Sequence, residues 1–406
     1  VSTSPTEQDG RSLACSGCGA GLKFAPGTDA LSCPYCGAST PVPAVRGGTE
    51  ELDFHAWIDR LSAESETYEV LDARCTACGA ETSLDPNVVS DECPFCRGSL
   101  ILAGKSRRLI RPSALLPFRV TRREAEEALE RWMRGLWFAP GDFKRSARGE
   151  GGISGVYVPC WTFDCEATTR YAGARGEWYW VTETYTTTEN GKTVTRTRRV
   201  RKTRWYPASG RVRDSFDDVL VLASDSLPRE EADALQPWDL PNLVAYSEEY
   251  LSGFRTESYG VPLDQGFERA KPVMGAAIRD TIRRDIGGDE QQIHRTDTRW
   301  DDITFKHVLL PVWISAYRYR DRVFRRLVNA RTGEVQGERP WSWIKIALLV
   351  VFLLTVAAAV ASVAEAEGAT AETRSEARTE AAAYPGAAAG PVIPGAAPGS
   401  VTRPAP

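Results

Sequence analysis

The sequence predicts a multidomain chain: two small tandem β units, a larger mainly antiparallel α+β domain, one C-terminal transmembrane helix and a disordered tail. Three observations carry this prediction. Eight of the ten cysteines recur as a duplicated pattern in the first quarter of the chain. A long uncharged apolar run lies near the C-terminus. Between the two, strand-like runs alternate with turn signals and a few helical stripes. A chain of 406 residues with 42% hydrophobic and 26% charged residues is not collagen-like, mucin-like or wholly disordered. A formal net charge of −4 excludes an overall basic coat for nucleic acid.

The cysteines come first. Cys15, Cys18, Cys33 and Cys36 read CxxC, fourteen residues, CxxC; Cys75, Cys78, Cys93 and Cys96 repeat this at an offset of sixty. A CxxC turn aims two thiolates at one point, and a following glycine lets backbone N–H groups approach sulfur. Two such turns complete a tetrahedral four-sulfur site, the geometry of structural Zn²⁺, with no position left for a catalytic water. The spacing therefore predicts two structural zinc sites, in zinc ribbon 1 (residues 1–45) and zinc ribbon 2 (residues 71–106). Disulfides would need an oxidising compartment, and residues 1–8 have neither the basic start nor the apolar run of a signal peptide. Units this small bury little apolar area, so metal binding is expected to supply folding energy on the order of 10 kcal/mol. Arg97 stands where the other knuckles have Gly19, Gly37 and Gly79, and Gly98 is expected to take over that turn. Cys160 and Cys165, five apart in a strand-like run, are expected on opposite faces as small buried residues, not as ligands.

A linker (residues 46–70) holds Phe54, Trp57, Ile58 and Leu61 at helical spacing, with His55 exposed. The α+β domain (residues 107–340) opens on a capping box, Thr121 to Glu124, followed by a stripe of Ala125, Ala128, Leu129, Trp132, Met133 and Leu136. Strands are predicted over 153–167 and 176–188, a hairpin turn over 189–192, and a return strand over 193–206. Helices follow over 228–235 and 264–286, the latter kinked at Pro272 and stopped by Gly287 and Gly288. A final meander covers 304–319, 322–328 and 334–337, with a turn at Asn329 to Gly333. The return strand is basic, with Arg196, Arg198, Arg199, Arg201, Lys202 and Arg204; it reads as a charged, solvated sheet edge, the alternative being a phosphate-binding face.

Residues 346–364 hold no charge, and at 1.5 Å per residue they reach about 28 Å, a bilayer core. Trp341, Trp343 and Lys345 suit the interface, so a transmembrane helix is placed at 341–364. Arg326, Arg331, Arg339 and Lys345 on one flank against Arg374 and Arg378 on the other, together with thiolate sites that need reducing conditions, put the N-terminal domains in the cytosol and the tail outside. The tail, residues 365–406, is Ala-, Gly- and Pro-rich and is expected to be disordered, with room for a short helical extension over 365–383.

Catalytic chemistry is sparse, and no catalytic residue is predicted. Gly104-Lys105-Ser106 resembles the end of a phosphate loop, but Ser99 stands where its first glycine belongs. Asp285, Asp289, Glu290 and His294 form the one polar cluster that could serve an enzyme.

The twin CxxC ribbons, Leu116-Pro-Phe118, Leu136-Trp-Phe-Ala-Pro140, Tyr157-Val-Pro-Cys-Trp-Thr-Phe163, Phe216-Asp-Asp-Val-Leu220, the run from Phe305 to Trp313, the run from Val328 to Val335 and the C-terminal anchor together resemble a bacterial family. Its members are TFIIB-type zinc-ribbon membrane proteins often labelled primosomal protein N′ (replication factor Y), a superfamily II helicase. The ATP motifs of a helicase are missing here, so that activity does not carry over. Relatives with ribbons and an anchor resemble partners of phage-shock-protein-A-like and stomatin/flotillin-like scaffolds. The resemblance thus implies a membrane-anchored cytosolic adaptor in envelope stress at the bacterial inner membrane, with lipid around the helix and a protein partner. The alternative is a nucleic-acid-binding zinc-ribbon factor. Local charge opposes it: residues 1–106 hold 7 Lys and Arg against 15 Asp and Glu, a net of −8, where a phosphate-binding module should be basic.

Overall fold

The computed structural model describes residues 13–43, 50–62, 68–75, 78, 80–83, 90–96, 99–143, 152–189, 192–227, 229–320 and 322–381. The chain divides into two compact units, Val1–Pro340 and Trp341–Pro406.

The first unit is mainly antiparallel sheet with a few helices. The first cysteine segment carries a small sheet in the order β1 (Lys23–Phe24), β2 (Ala30–Ser32), β3 (Ser39–Pro41). Strand β4 (Leu52–Asp53) leads into helix α1 (Phe54–Ser62), where Asp53 accepts the Ala56 N–H at 2.6 Å. The second cysteine segment supplies β5 (Tyr68–Cys75), β6 (Glu81–Ser83), β7 (Ser90–Glu92) and β8 (Ser99–Leu109), in the order β6-β5-β8-β7. The turn expected at Arg97 and Gly98 lies outside the described residues.

Strand β9 (Ala114–Leu115) then joins the main sheet, and helix α2 (Arg122–Gly135) starts on the expected capping box. Thr121 Oγ1 accepts the Glu124 N–H at 3.3 Å, and the Glu124 carboxylate accepts the Thr121 N–H at 2.8 Å. The sheet is dominated by β10 (Ile153–Glu189) and β11 (Lys192–Leu222). Helix α3 (Arg229–Asp233), β12 (Val244–Ala245), β13 (Arg255–Thr256) and helix α4 (Leu263–Ile286) follow, then β14 (Glu290–Tyr319), β15 (Arg322–Asn329) and β16 (Val335–Gly337). The central path is β11-β10-β14-β15-β16, with β4, β9, β12 and β13 attached at its sides.

The strands are longer than the sequence suggests. The two segments predicted at 153–167 and 176–188 are one strand, the return strand runs on from Tyr206 to Leu222, and β14 begins at Glu290 instead of residue 304. Glycine normally breaks a strand; here it admits a neighbour. A Cβ on Gly173 would stand 2.1 Å from the Gln292 carbonyl oxygen, where β14 shifts register against β10. Gly173→Ala is accordingly expected to destabilise the protein by about 1–3 kcal/mol in a urea titration. Pro207 is accommodated because β11 is the edge strand of this path.

Helix α4 lays Phe267, Ala270, Met274, Ile278, Ile282 and Ile286 along the long strands as one buried stripe, and Pro272 sits on its exposed face. Gly266 lets it approach closely: a Cβ there would lie 2.6 Å from the Trp161 ring. The turn predicted after Val328 is present. Asn329 accepts the N–H groups of Arg331 (2.8 Å) and Thr332 (3.2 Å), and Gly333 takes φ +80°.

The second unit holds helix α5 (Trp343–Ala381). Its first 20 residues, Trp343–Ser362, have a mean hydropathy of 2.7 with none of them buried; by length and composition they can cross a membrane. The helix continues beyond residue 364, so the Ala-rich start of the tail takes the helical option; residues 382–406 lie outside the described residues.

Candidate metal centres

Both cysteine quartets converge. In the first, Cys15 Sγ lies 3.5 Å from Cys36 Sγ and Cys18 Sγ 3.4 Å from Cys33 Sγ. In the second, Cys75 and Cys96 are 3.4 Å apart, and Cys78 and Cys93 3.7 Å. Within each quartet all four sulfurs lie within 4.8 Å of one another. These separations far exceed a disulfide of about 2.05 Å, and the cysteines are free. Four soft donors around one point can hold a metal ion.

The electrostatics ask for a cation. Backbone N–H groups of Gly17 and Cys18 hold the Cys15 thiol below its usual range, and those of Cys36 and Tyr35 draw Cys33 down to about 6. Cys18, despite the Ala20 N–H, is pushed up to about 12 by neighbouring sulfur, Cys33 foremost. Four thiolates this close cannot all ionise alone; a bound dication lets them. The second quartet shows the same division, with Cys78 drawn down to about 5 by its contact with Cys93, which is pushed up in turn.

The duplicated sites sit in different surroundings. Phe95, between the last two cysteines of the second quartet, is fully buried (0% exposed). It packs with Cys75, Cys93 and Cys96 among Val156, Val158, Leu227, Leu327 and Ile314, and its carbonyl accepts the Arg325 Nε–H at 2.9 Å. Tyr35, its counterpart at the sixty-residue offset, is 83% exposed, and Cys18 and Cys36 beside it are exposed too. The first quartet meets the body where Leu22, Phe24, Leu31 and Cys33 pack with Phe118, Tyr157 and Tyr250.

Other candidates resolve differently. Cys160 and Cys165 are buried in separate core clusters, as the strand alternation requires, and burial pushes Cys165 up to about 11. Asp285, Asp289, Glu290 and His294 do not share a centre. Asp285 accepts the Tyr171 hydroxyl at 2.6 Å, Asp289 the Trp178 N–H at 2.8 Å, and Glu290 the Trp178 Nε1–H at 2.6 Å, while His294 is exposed against Gln292. Gly104-Lys105-Ser106 lies inside strand β8, not ahead of a helix. His55 is exposed; His307 is buried between Trp161 and Tyr259, and burial lowers it to about 4, so it is neutral.

One cluster escaped the sequence. Both neighbours of β10 bulge at one level: Asp217–Asp218 loop out opposite Asp164, and β14 shifts register at Asp302. Asp218 and Asp302 take φ +52° and +50°, unusual without glycine. Asp164, Asp217 and Asp218 could group around a cation. Lys306, only 6% exposed, already supplies one: its Nζ is 2.8 Å from Asp218, 3.3 Å from Glu51 and 3.9 Å from Asp164. The signal was an Asp pair inside an otherwise apolar strand run, Phe216 to Leu220.

No protein-family model matches the chain, and no solved structure matches it. A relative in Bacillus subtilis (strain 168), named "Uncharacterized protein YdjG", is 25% identical over 339 residues, which span 83% of this chain and 92% of that protein.

Proposed function

We propose that the chain is a membrane-anchored cytosolic zinc-ribbon adaptor, in which the second quartet builds the body and the first displays a knuckle to a protein partner. The contrast between exposed Tyr35 and buried Phe95 carries this reading. A duplicated unit that offers a large aromatic to solvent at the position its twin buries has a surface free for a partner. Zinc is the metal that the donor set suits. A tetrahedron with bonds of about 2.3 Å spaces its sulfurs about 3.8 Å apart, close to the contacts above. Envelope stress, with phage-shock-protein-A-like or stomatin/flotillin-like partners, is the setting that the family resemblance implies. The cytosolic orientation rests on the thiolates more than on flanking charge. Of the flanking cations, Arg326 is buried against Ser315 and Tyr317, and Arg331 is paired with Asp239.

Two measurements test this. A photocrosslinking residue at position 35, in cells, should give an adduct with a membrane-scaffold protein that is missing when the same residue stands at position 95. Adducts with replication or repair proteins, or the same adducts from both positions, would sink the adaptor reading. Fractionation should place the full chain in membranes and a chain ending at Pro340 in the soluble fraction; a soluble full chain would remove the anchor.

A further inference from the structure

Pairing of β14 with β10 ends at Gly176 and Glu290, whereas β10 and β11 stay paired to Glu189 and Lys192. Beyond Gly176 the hairpin is therefore a two-stranded finger, about 40 Å long over Glu177–Glu189 and Lys192–Arg204. An isolated two-stranded hairpin is marginal in water, so one of this length needs a partner to be worth building. By sequence these strands carry seven Lys and Arg against three Glu.

Register divides the side chains between two faces. One face holds Tyr179, Tyr185 and Tyr206 and mixes five Lys and Arg with three Glu, among which Glu183 pairs with Lys202 at 2.9 Å and with Arg198 at 3.4 Å. The other face holds Trp178, Trp180 and Trp205 with Arg199, Arg201 and a run of threonines. The same face continues down the stem, opposite helix α4, into a groove lined by Thr168, Arg170, Arg211, Arg213, Asp297 and Arg299. With Arg295, seven exposed arginines thus follow one strip, against Asp297, the half-buried Glu290 and Asp301, which pairs with Arg299 at 2.8 Å. Trp180 is 59% exposed at its outer part.

We propose that this tryptophan–arginine strip is a second membrane contact, which lies against the anionic phospholipid headgroups of the bilayer. Tryptophan favours the headgroup level, each basic residue gains from an anionic surface, and guanidinium forks suit lipid phosphate. A single-stranded nucleic acid is the weaker fit. Its bases need aromatic faces, and here arginines already stack on them: Arg201 lies 3.8 Å from the Trp178 ring centre and Arg199 5.6 Å from that of Trp180. The proposal rests in part on the anchor reading, because a tethered chain meets headgroups at high effective concentration.

Hydrogen exchange on the full chain in nanodiscs tests it. In discs with about 30% phosphatidylglycerol, peptides over 168–189 and 192–213 should exchange at least about threefold more slowly than in neutral phosphatidylcholine discs, and salt should erase the difference. Arg199→Glu with Arg201→Glu should abolish the response; should that variant misfold, the wild-type comparison between lipids decides alone. Equal exchange in both discs, with Trp343–Ser362 protected, overturns the proposal and leaves the anchor intact. Protection by a single-stranded oligonucleotide but not by phosphatidylglycerol overturns it in favour of nucleic acid. If Trp343–Ser362 exchanges freely, the anchor reading fails by itself. The strip is then judged on the full chain added to preformed phosphatidylglycerol vesicles, where slowed exchange supports it and unchanged exchange overturns it.

Discussion

Cys93→Ser is expected to unfold the body of the protein, whereas Cys36→Ser is expected to cost one metal ion and disturb little beyond its own segment. Each variant should fall from two zinc ions per chain to one in a metal assay. The sites part company in what the metal holds up. Cys93 has no exposed surface and packs, with Phe95, among side chains of β10, β14 and β15. Losing that site frees a charged, hydrated knuckle in the middle of a core, and Val156, Val158 and Leu327 lose their cover. Metal binding supplies folding energy on the order of 10 kcal/mol, comparable with the whole stability of a typical domain. Cys36 is exposed beside Tyr35, and Phe24 would still stack edge-on against Tyr250, at 5.2 Å between ring centres. Unfolding followed by tryptophan fluorescence should therefore keep its main transition in Cys36→Ser and lose it in Cys93→Ser. Equal losses in the two variants would refute the division of labour between the sites.

The legible parts of this chain were those with local physical causes. A capping box, a helical stripe and a CxxC turn each act over a few residues, so Thr121, the α2 stripe and the eight cysteines stand where the sequence puts them. What was not legible depends on partners far away in sequence. The gap predicted between 167 and 176 is strand, and Gly173 within it is where β14 crosses close to β10. The difference between Tyr35 and Phe95 was visible as a substitution of one aromatic for another; only the sheet that covers Phe95 gives it meaning. Likewise, Arg326 reads as a cation flanking a membrane helix and is in fact a buried donor to Ser315 at 2.8 Å.

Lys306→Met should also be costly, for an electrostatic reason. The ammonium sits among Asp218, Glu51 and Asp164 at the level where the flanking strands bulge. Methionine fills similar volume but leaves three carboxylates facing one another without a cation. Breaking a buried ion pair from one side costs about 3–5 kcal/mol. Asp218→Asn in the same chain should recover part of the loss, because it removes the carboxylate closest to the missing charge. The pH dependence separates this account from a packing defect. Burial raises Asp164 to about 6, against 3.8 when unfolded, with Lys306 opposing the rise. A folded value above the unfolded one means that the folded state holds the extra proton, so this group's contribution falls as pH climbs from 3.8 through 6. Without Lys306 the Asp218 N–H still opposes the rise but no cation does, and protonation relieves more repulsion. The gap between wild type and Lys306→Met should narrow at about pH 5 and widen at about pH 8. On the alkaline side, burial alone would lower Lys306, but the ion pair with Asp218 outweighs it and holds the lysine above 10.5. Its contribution is therefore whole below that value and is lost only as pH rises through the folded one. Urea midpoints at the two pH values decide the matter: a gap that does not change with pH would mean that the loss is one of packing and not of charge.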